Sequence, residues 1–167
     1  MADLIQDDFT GEDQKLPTGL NVLTILTIIG TILFGFIGGL WGFFTAESSY
    51  KQMKDAMDSG KADQMPSWAR AFMTPEMLAL KHKMLENKLP ILILTLVASA
   101  LCLYGALEMR KRKKQGYLLW LIGEILPIGT ALLFIGAASL QGWGMLGIFI
   151  PVLFIILYTA NRKELIY

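Results

Sequence analysis

The chain reads as an all-α, polytopic integral membrane protein. The expected architecture is four transmembrane helices in an antiparallel bundle, with amphipathic helices in a long extracytoplasmic loop between helices 1 and 2. Three observations predict this. Hydrophobic residues make up 54% of the 167 residues and mean hydropathy is +0.50, above the roughly 45–50% apolar usage of soluble domains. The apolar residues gather into four nearly charge-free runs, about 20–44, 89–108, 116–140 and 143–160. At ~1.5 Å per residue each is long enough to cross a ~30 Å hydrocarbon layer as a helix, the form that satisfies its own backbone there. Finally, one dense cationic block, Arg110, Lys111, Arg112, Lys113 and Lys114, separates the second run from the third.

That block is short, juxtamembrane and unbalanced by acid, so it should face the cytoplasm. Alternation then places both termini in the cytoplasm, in agreement with Arg162 and Lys163, and the 45–88 connection outside. The expected location is a bacterial cytoplasmic (inner) membrane. Residues 1–18 form an acidic cytoplasmic tail, and 19–167 a single transmembrane domain. A net charge of +1 gives no reason to expect a nucleic-acid partner. The one cysteine, Cys102, lies within a span and permits no intramolecular disulfide framework. The acidic residues Asp3, Asp7, Asp8, Glu12 and Asp13 do not make the positive n-region of a secretory signal.

Taken in order, the tail carries Leu4, Ile5 and Phe9 among its acids, and Pro17-Thr18-Gly19 punctuates the entry to the first helix. Along that helix Thr24, Thr27, Thr31, Gly35, Gly38 and Gly42 follow one line at helical spacing, flanked by Asn21 and Gly39. Gly35-x-x-x-Gly39 and Gly38-x-x-x-Gly42 are overlapping close-approach motifs, which in lipid replace the missing hydrophobic drive between helices. The partner for this stripe is expected within the chain.

The 45–88 connection balances seven basic residues with six acidic ones. Ser48 and Ser49 suit the cap of a short helix carrying Tyr50, Met53 and Met57, which Gly60 would end. Lys61–Pro66 reads as a turn. Thr74-Pro75-Glu76 is a helix start, with Thr as cap and Pro at the first helical position. These pieces are expected to lie on the bilayer surface or to cap the bundle.

The second helix has a small-residue face, Thr95, Ala98, Cys102 and Gly105, and ends at Glu108 beside the basic block. The third places Gly116, Gly123, Thr130 and Ala137 at seven-residue spacing, the period of a left-handed seam. Gln141–Gly144 reads as a tight hairpin. The fourth sets Gly147, Pro151, Phe154 and Tyr158 on one side and ends at Asn161-Arg162-Lys163.

The chemically unusual residue is Glu124, roughly 10–15 Å past the basic block along its helix. An ionisable group at that depth costs about 3 kcal/mol unless it faces the bundle interior, and desolvation favours its neutral acid. The threading brings Thr24, Thr27, Tyr104 and Tyr158 to similar depth, so these five are the expected polar cluster. It would act as interhelical glue, as a proton or cation site, or as a contact with another subunit. Six of nine methionines fall in the outer connection. Met53/Met57 and Met73/Met77 have the one-turn spacing of a Cu(I) site, although methionine on an amphipathic face serves equally as adaptable packing.

No phosphate-binding glycine loop, zinc-protease motif or nucleophile elbow occurs in the sequence. The expectation is therefore a non-catalytic accessory, scaffolding or assembly subunit of a larger membrane complex, without a cofactor. Its partners would be the lipid bilayer and other membrane subunits or a second copy. A proton- or cation-coupled small transporter using Glu124, and copper handling through the loop methionines, are the alternatives.

Overall fold

A computed structural model describes residues 16–140 and 145–166, and among these the chain is all-helical without strands. The tail positions Leu4, Ile5 and Phe9 and the Gln141–Gly144 hairpin lie outside the described residues. We number the helices α1 (Thr18–Asp58), α2 (Ser67–Arg70), α3 (Pro75–Glu86), α4 (Lys88–Arg110), α5 (Lys114–Phe134) and α6 (Leu146–Asn161). Three of them, α1, α4 and α5, are long and apolar enough to cross a membrane. The fourth apolar run forms α6, whose 16 residues give roughly 24 Å, less than the ~30 Å hydrocarbon thickness.

Helix α1 is longer than the apolar run that predicts it. It continues without interruption through Thr45–Asp58, because no proline or cap intervenes and Glu47 pairs with Lys51 one turn on, at 2.7 Å. Ser48 and Ser49 therefore do not start a new helix. Ser48 donates instead to the Thr45 carbonyl (3.0 Å), and Thr45 to that of Trp41 (2.7 Å), both within the helix. Gly60, at φ 69°, ends the run.

Within α1, Thr31–Ile37 winds as a π-helix, and the Gly38 amide bonds to the Leu33 carbonyl five residues back. The wider turn redirects the small-residue stripe. On an ideal α-helix Gly35, Gly38 and Gly42 share a line; here the contact face steps by four, through Gly35 and Gly39. A Cβ on Gly35 would sit 3.0 Å from the Ser99 Cβ of α4, and one on Gly39 would meet Thr95 Cγ2 at 3.1 Å. Gly42 has nothing within 4 Å, and Gly38 meets only its own helix. The stripe thus divides into a face against α4 and a face turned away from it.

The 45–88 connection is a helical hairpin in which α3 packs along the end of α1. Lys61–Gln64 forms a 3-10 turn, and Arg70 folds back to donate to the Asp63 and Met65 carbonyls, closing the tip. Thr74 caps α3, its hydroxyl accepting from the Met77 amide at 3.3 Å. Helix α3 then returns antiparallel to α1. The His82 and Tyr50 rings meet edge-on at 5.3 Å, and lower down Lys88 lies 5.3 Å from the Phe43 ring. Met53, one turn beyond Tyr50, is 4% exposed.

The closest backbone approach is between α4 and α5. Gly105 packs on the backbone of Gly116 and Trp120, and Gly123 on Ala98 and Cys102. Seven-residue spacing keeps these glycines on one seam, and Thr130 is buried further along it. The last member, Ala137, falls outside the helix. The predicted span 116–140 stops at Phe134, because Gly136 (φ 98°) turns the chain, and Ala137–Leu140 form a 3-10 turn. At the other end the α4–α5 turn holds Arg112 in the left-handed region, φ 58°. Bonds from the Lys113 amide to the Glu108 carbonyl (3.1 Å) and from the Ile166 amide to the Arg112 carbonyl (2.9 Å) hold that conformation. Helix α6 returns to this end, where Asn161 lies against Gly19 and Leu165 is buried.

Candidate intramembrane carboxylate site

The seam positions Glu124. Its neighbour Gly123 has no side chain because a Cβ there would lie 2.6 Å from Cys102 Sγ, so α5 is seated directly on α4. One turn earlier Trp120, 0% exposed, lies against the Tyr158 ring of α6, 4.4 Å between centroids with the planes tilted at 46°. Tyr158 in turn shares a 2.8 Å hydrogen bond with Thr27 of α1. All four long elements therefore contribute to one layer. The two hydroxyls are buried together, and their bond satisfies both in an apolar surrounding.

Glu124 is half-buried beside this layer. Among the described residues it accepts no hydrogen bond and makes no ion pair. The adjoining Trp120 Nε1 is wholly buried and also lacks a hydrogen-bond partner. An unfilled buried donor costs about 1–3 kcal/mol. Positions four apart share a helix face, so an acceptor without a donor and a donor without an acceptor stand one turn apart on α5.

Thr24 is buried one turn below Thr27, its hydroxyl donating to the Asn21 carbonyl at 3.0 Å. Arg110 Nη1 reaches across from α4 to Asn21 Oδ1 (3.0 Å) and Thr24 Oγ1 (3.4 Å). The structure thus brings Thr24, Thr27 and Tyr158 onto one polar line ending at Arg110. Tyr104 does not join it. It is 55% exposed, because the neighbouring Gly105 and Cys102 occupy the buried side of α4.

The basic block is woven into the protein. Lys111 and Lys113 converge on the buried Glu108 carboxylate at 2.9 and 2.6 Å, and the second contact holds the Lys113 ammonium above its usual range. Lys114 donates to the Ile166 carbonyl at 2.9 Å, and Arg162 lies over the Tyr117 ring at 5.5 Å. Sequence reasoning placed Glu108 beside the block without pairing it. The signal was there: an acid three residues before a lysine is within reach on a helix.

In the hairpin, Met53 is buried while Met57, Met73 and Met77 are half-buried. Met53 and Met57 keep one-turn spacing on α1. Met73 and Met77 do not, since Met73 precedes the Thr74 cap and lies outside α3. His82 is 3.4 Å from Glu86 and borders an open groove of about 410 Å³ with Tyr50, Leu78 and Lys83.

The core role of Trp120 was the other omission. It stands four residues after Gly116 and three before Gly123, which places it on the same seam. No known family model matches this chain, and neither a curated protein nor a solved structure shows significant similarity to it.

Proposed function

We propose that this protein is a non-catalytic accessory, scaffolding or assembly subunit of a larger membrane complex, and that the α1–α3 hairpin meets the partner. In this reading the chain crosses a bacterial cytoplasmic membrane four times, with α6 as the shortest span. Both termini and the Arg110–Lys114 block face the cytoplasm. Support comes from the ties of Asn21 to Arg110 and of Ile166 to Arg112, which gather the described ends of the chain at the basic turn.

The observation that carries the proposal is Trp68. It is 71% exposed on α2 at the tip of the hairpin. The 14 residues of α1 that follow Phe44, ending at Asp58, place that tip roughly 20 Å beyond the apolar run. At that height a bilayer surface does not cover it. Tryptophan is among the residue types enriched at interface hot spots, and Arg70 braces the turn that presents it. The hairpin thus offers a rigid, raised aromatic contact, suited to the extramembrane part of a neighbouring subunit.

Purification of the full chain from native membranes in mild detergent tests this. A chain co-eluting at fixed stoichiometry is expected, lost on Trp68→Ala while the variant keeps the wild-type Tm. A wild-type protein that elutes alone, or a partner retained in full by Trp68→Ala, refutes the reading.

A further inference from the structure

We propose that Glu124 is a reversible proton-binding site within the helix bundle. This goes beyond the subunit reading and does not depend on it. A carboxylic acid that merely ties helices together donates to an acceptor on a neighbouring helix. Glu124 makes no such bond among the described residues, and the nearby Tyr158 hydroxyl is already engaged with Thr27. The carboxyl is therefore left open to a small exchangeable species. Trp120 Nε1, buried and unfilled one turn away, is a second open valence in the same layer. Glu108 shows the opposite arrangement: its charge is fixed by Lys111 and Lys113 at 2.9 and 2.6 Å, which leaves it no proton to exchange.

The groups around the site are few. The Cys102 thiol of α4 and the Tyr158 phenol of α6 interact with its charge, and Tyr158 is bonded in turn to the Thr27 hydroxyl of α1; thiol, phenol and alcohol are ordinarily neutral at pH 7. The fixed charge at the end of the line is Arg110, held by Asn21 and Thr24. Thr27 and Thr24 lie one turn apart, which sets two buried hydroxyls between Tyr158 and the Asn21–Arg110 pair at the helix end. Deprotonation breaks the carboxyl O–H bond, leaves the electron pair on Glu124 and gives the proton to a water molecule.

The test uses the full chain in phospholipid nanodiscs and dicyclohexylcarbodiimide as probe, a lipid-soluble reagent selective for protonated carboxyls. The carboxyl proton passes to one reagent nitrogen and the carboxyl oxygen bonds the central carbon. An acyl shift to nitrogen then fixes the adduct, with nothing released. Peptide mass spectrometry should find the adduct at Glu124 and not at Glu108, with its yield falling about tenfold or more between about pH 5 and 9. Glu124→Gln should abolish it. Tyr158→Phe and Thr27→Val should each move the pH of half-labelling by about half a unit or more, which a packing role would not do. Absence of the adduct, a yield independent of pH, or a half-labelling pH unmoved in both variants overturns the proposal. Protection by sodium but not choline at fixed pH also overturns it, marking a metal-cation site instead.

Discussion

Replacing Gly116 by alanine should force α4 and α5 apart. The added methyl would lie 2.6 Å from both the Gly105 carbonyl oxygen and the Met109 amide nitrogen, and 2.9 Å from Glu108 Cβ. Ordinary contact begins near 3.4 Å, so the shortfall is 3.4 − 2.6 = 0.8 Å, and two of the three obstacles are backbone atoms that no rotamer change moves aside. Overpacking of this kind costs typically 1–3 kcal/mol. Here the upper end is expected, because a 0.5–1 Å gap forfeits about a quarter to a half of each dispersion contact it opens. The same displacement would disturb the Trp120–Tyr158 contact and the Glu108 pairs. Gly42→Ala is the control. With nothing within 4 Å of its Cβ position, its effect should stay within about 0.5 kcal/mol. Reversible unfolding in mixed dodecylmaltoside–dodecylsulfate micelles, followed by far-UV circular dichroism, measures both. A Gly116→Ala variant within about 0.5 kcal/mol of wild type, or a Gly42→Ala variant equally damaged, refutes the reasoning. The double variant Gly105→Ala/Gly116→Ala should lose less than the sum of the singles, since helices already parted leave room for the second methyl.

Thr74→Ala should destabilise α3 by about 0.5–1 kcal/mol, the lower part of the capping range because the bond is long at 3.3 Å. Faster hydrogen exchange confined to α3 amides, restored by Thr74→Ser, is the expected signature; unchanged exchange counts against the cap. A double-mutant cycle of Thr27→Val and Tyr158→Phe should give a coupling of about 0.6 kcal/mol, with about 1.7 as the upper bound for such bonds in membranes. Additive singles would show that the 2.8 Å contact contributes nothing. Lys113 is held above 10.5 by Glu108, so its pair stabilises the fold fully below the lysine's unfolded value, and that contribution is lost as pH rises through the folded value. Stability should therefore fall at pH above 10.5 in wild type and less steeply in Lys113→Met; parallel curves would remove the pair from the balance.

How much of this is legible in the chain varies with the range of the signal. The helical membrane class follows from run length, and the Thr74-Pro75 start from residues that touch in sequence. The small faces Ala98/Cys102/Gly105 and Gly116/Gly123/Thr130 can be marked because their period is short and regular. Continuation of α1 past Thr45 was not legible. Ser48 and Ser49 serve as caps or as back-bonding helical residues alike, and Tyr50 and Met53 reward helix once α3 packs on them. The exclusion of Tyr104 depends on which side of α4 the glycines of α5 select.

By itself, the sequence determines that apolar helices form, roughly where they begin, and that one carboxylate lies among them. Helix formation in lipid is driven by each segment's own backbone and needs no partner. Only the tertiary structure decided which face each helix buries. The π turn at Thr31–Ile37 sends Gly35 and Gly39 to α4 and turns Gly42 away, and the closeness of α4 and α5 sets Trp120 against Tyr158. It also spent Lys111 and Lys113 on Glu108 while leaving Glu124 without a partner. Such choices arise from contacts between residues far apart in the chain, where a shift of one residue in helical register changes every neighbour.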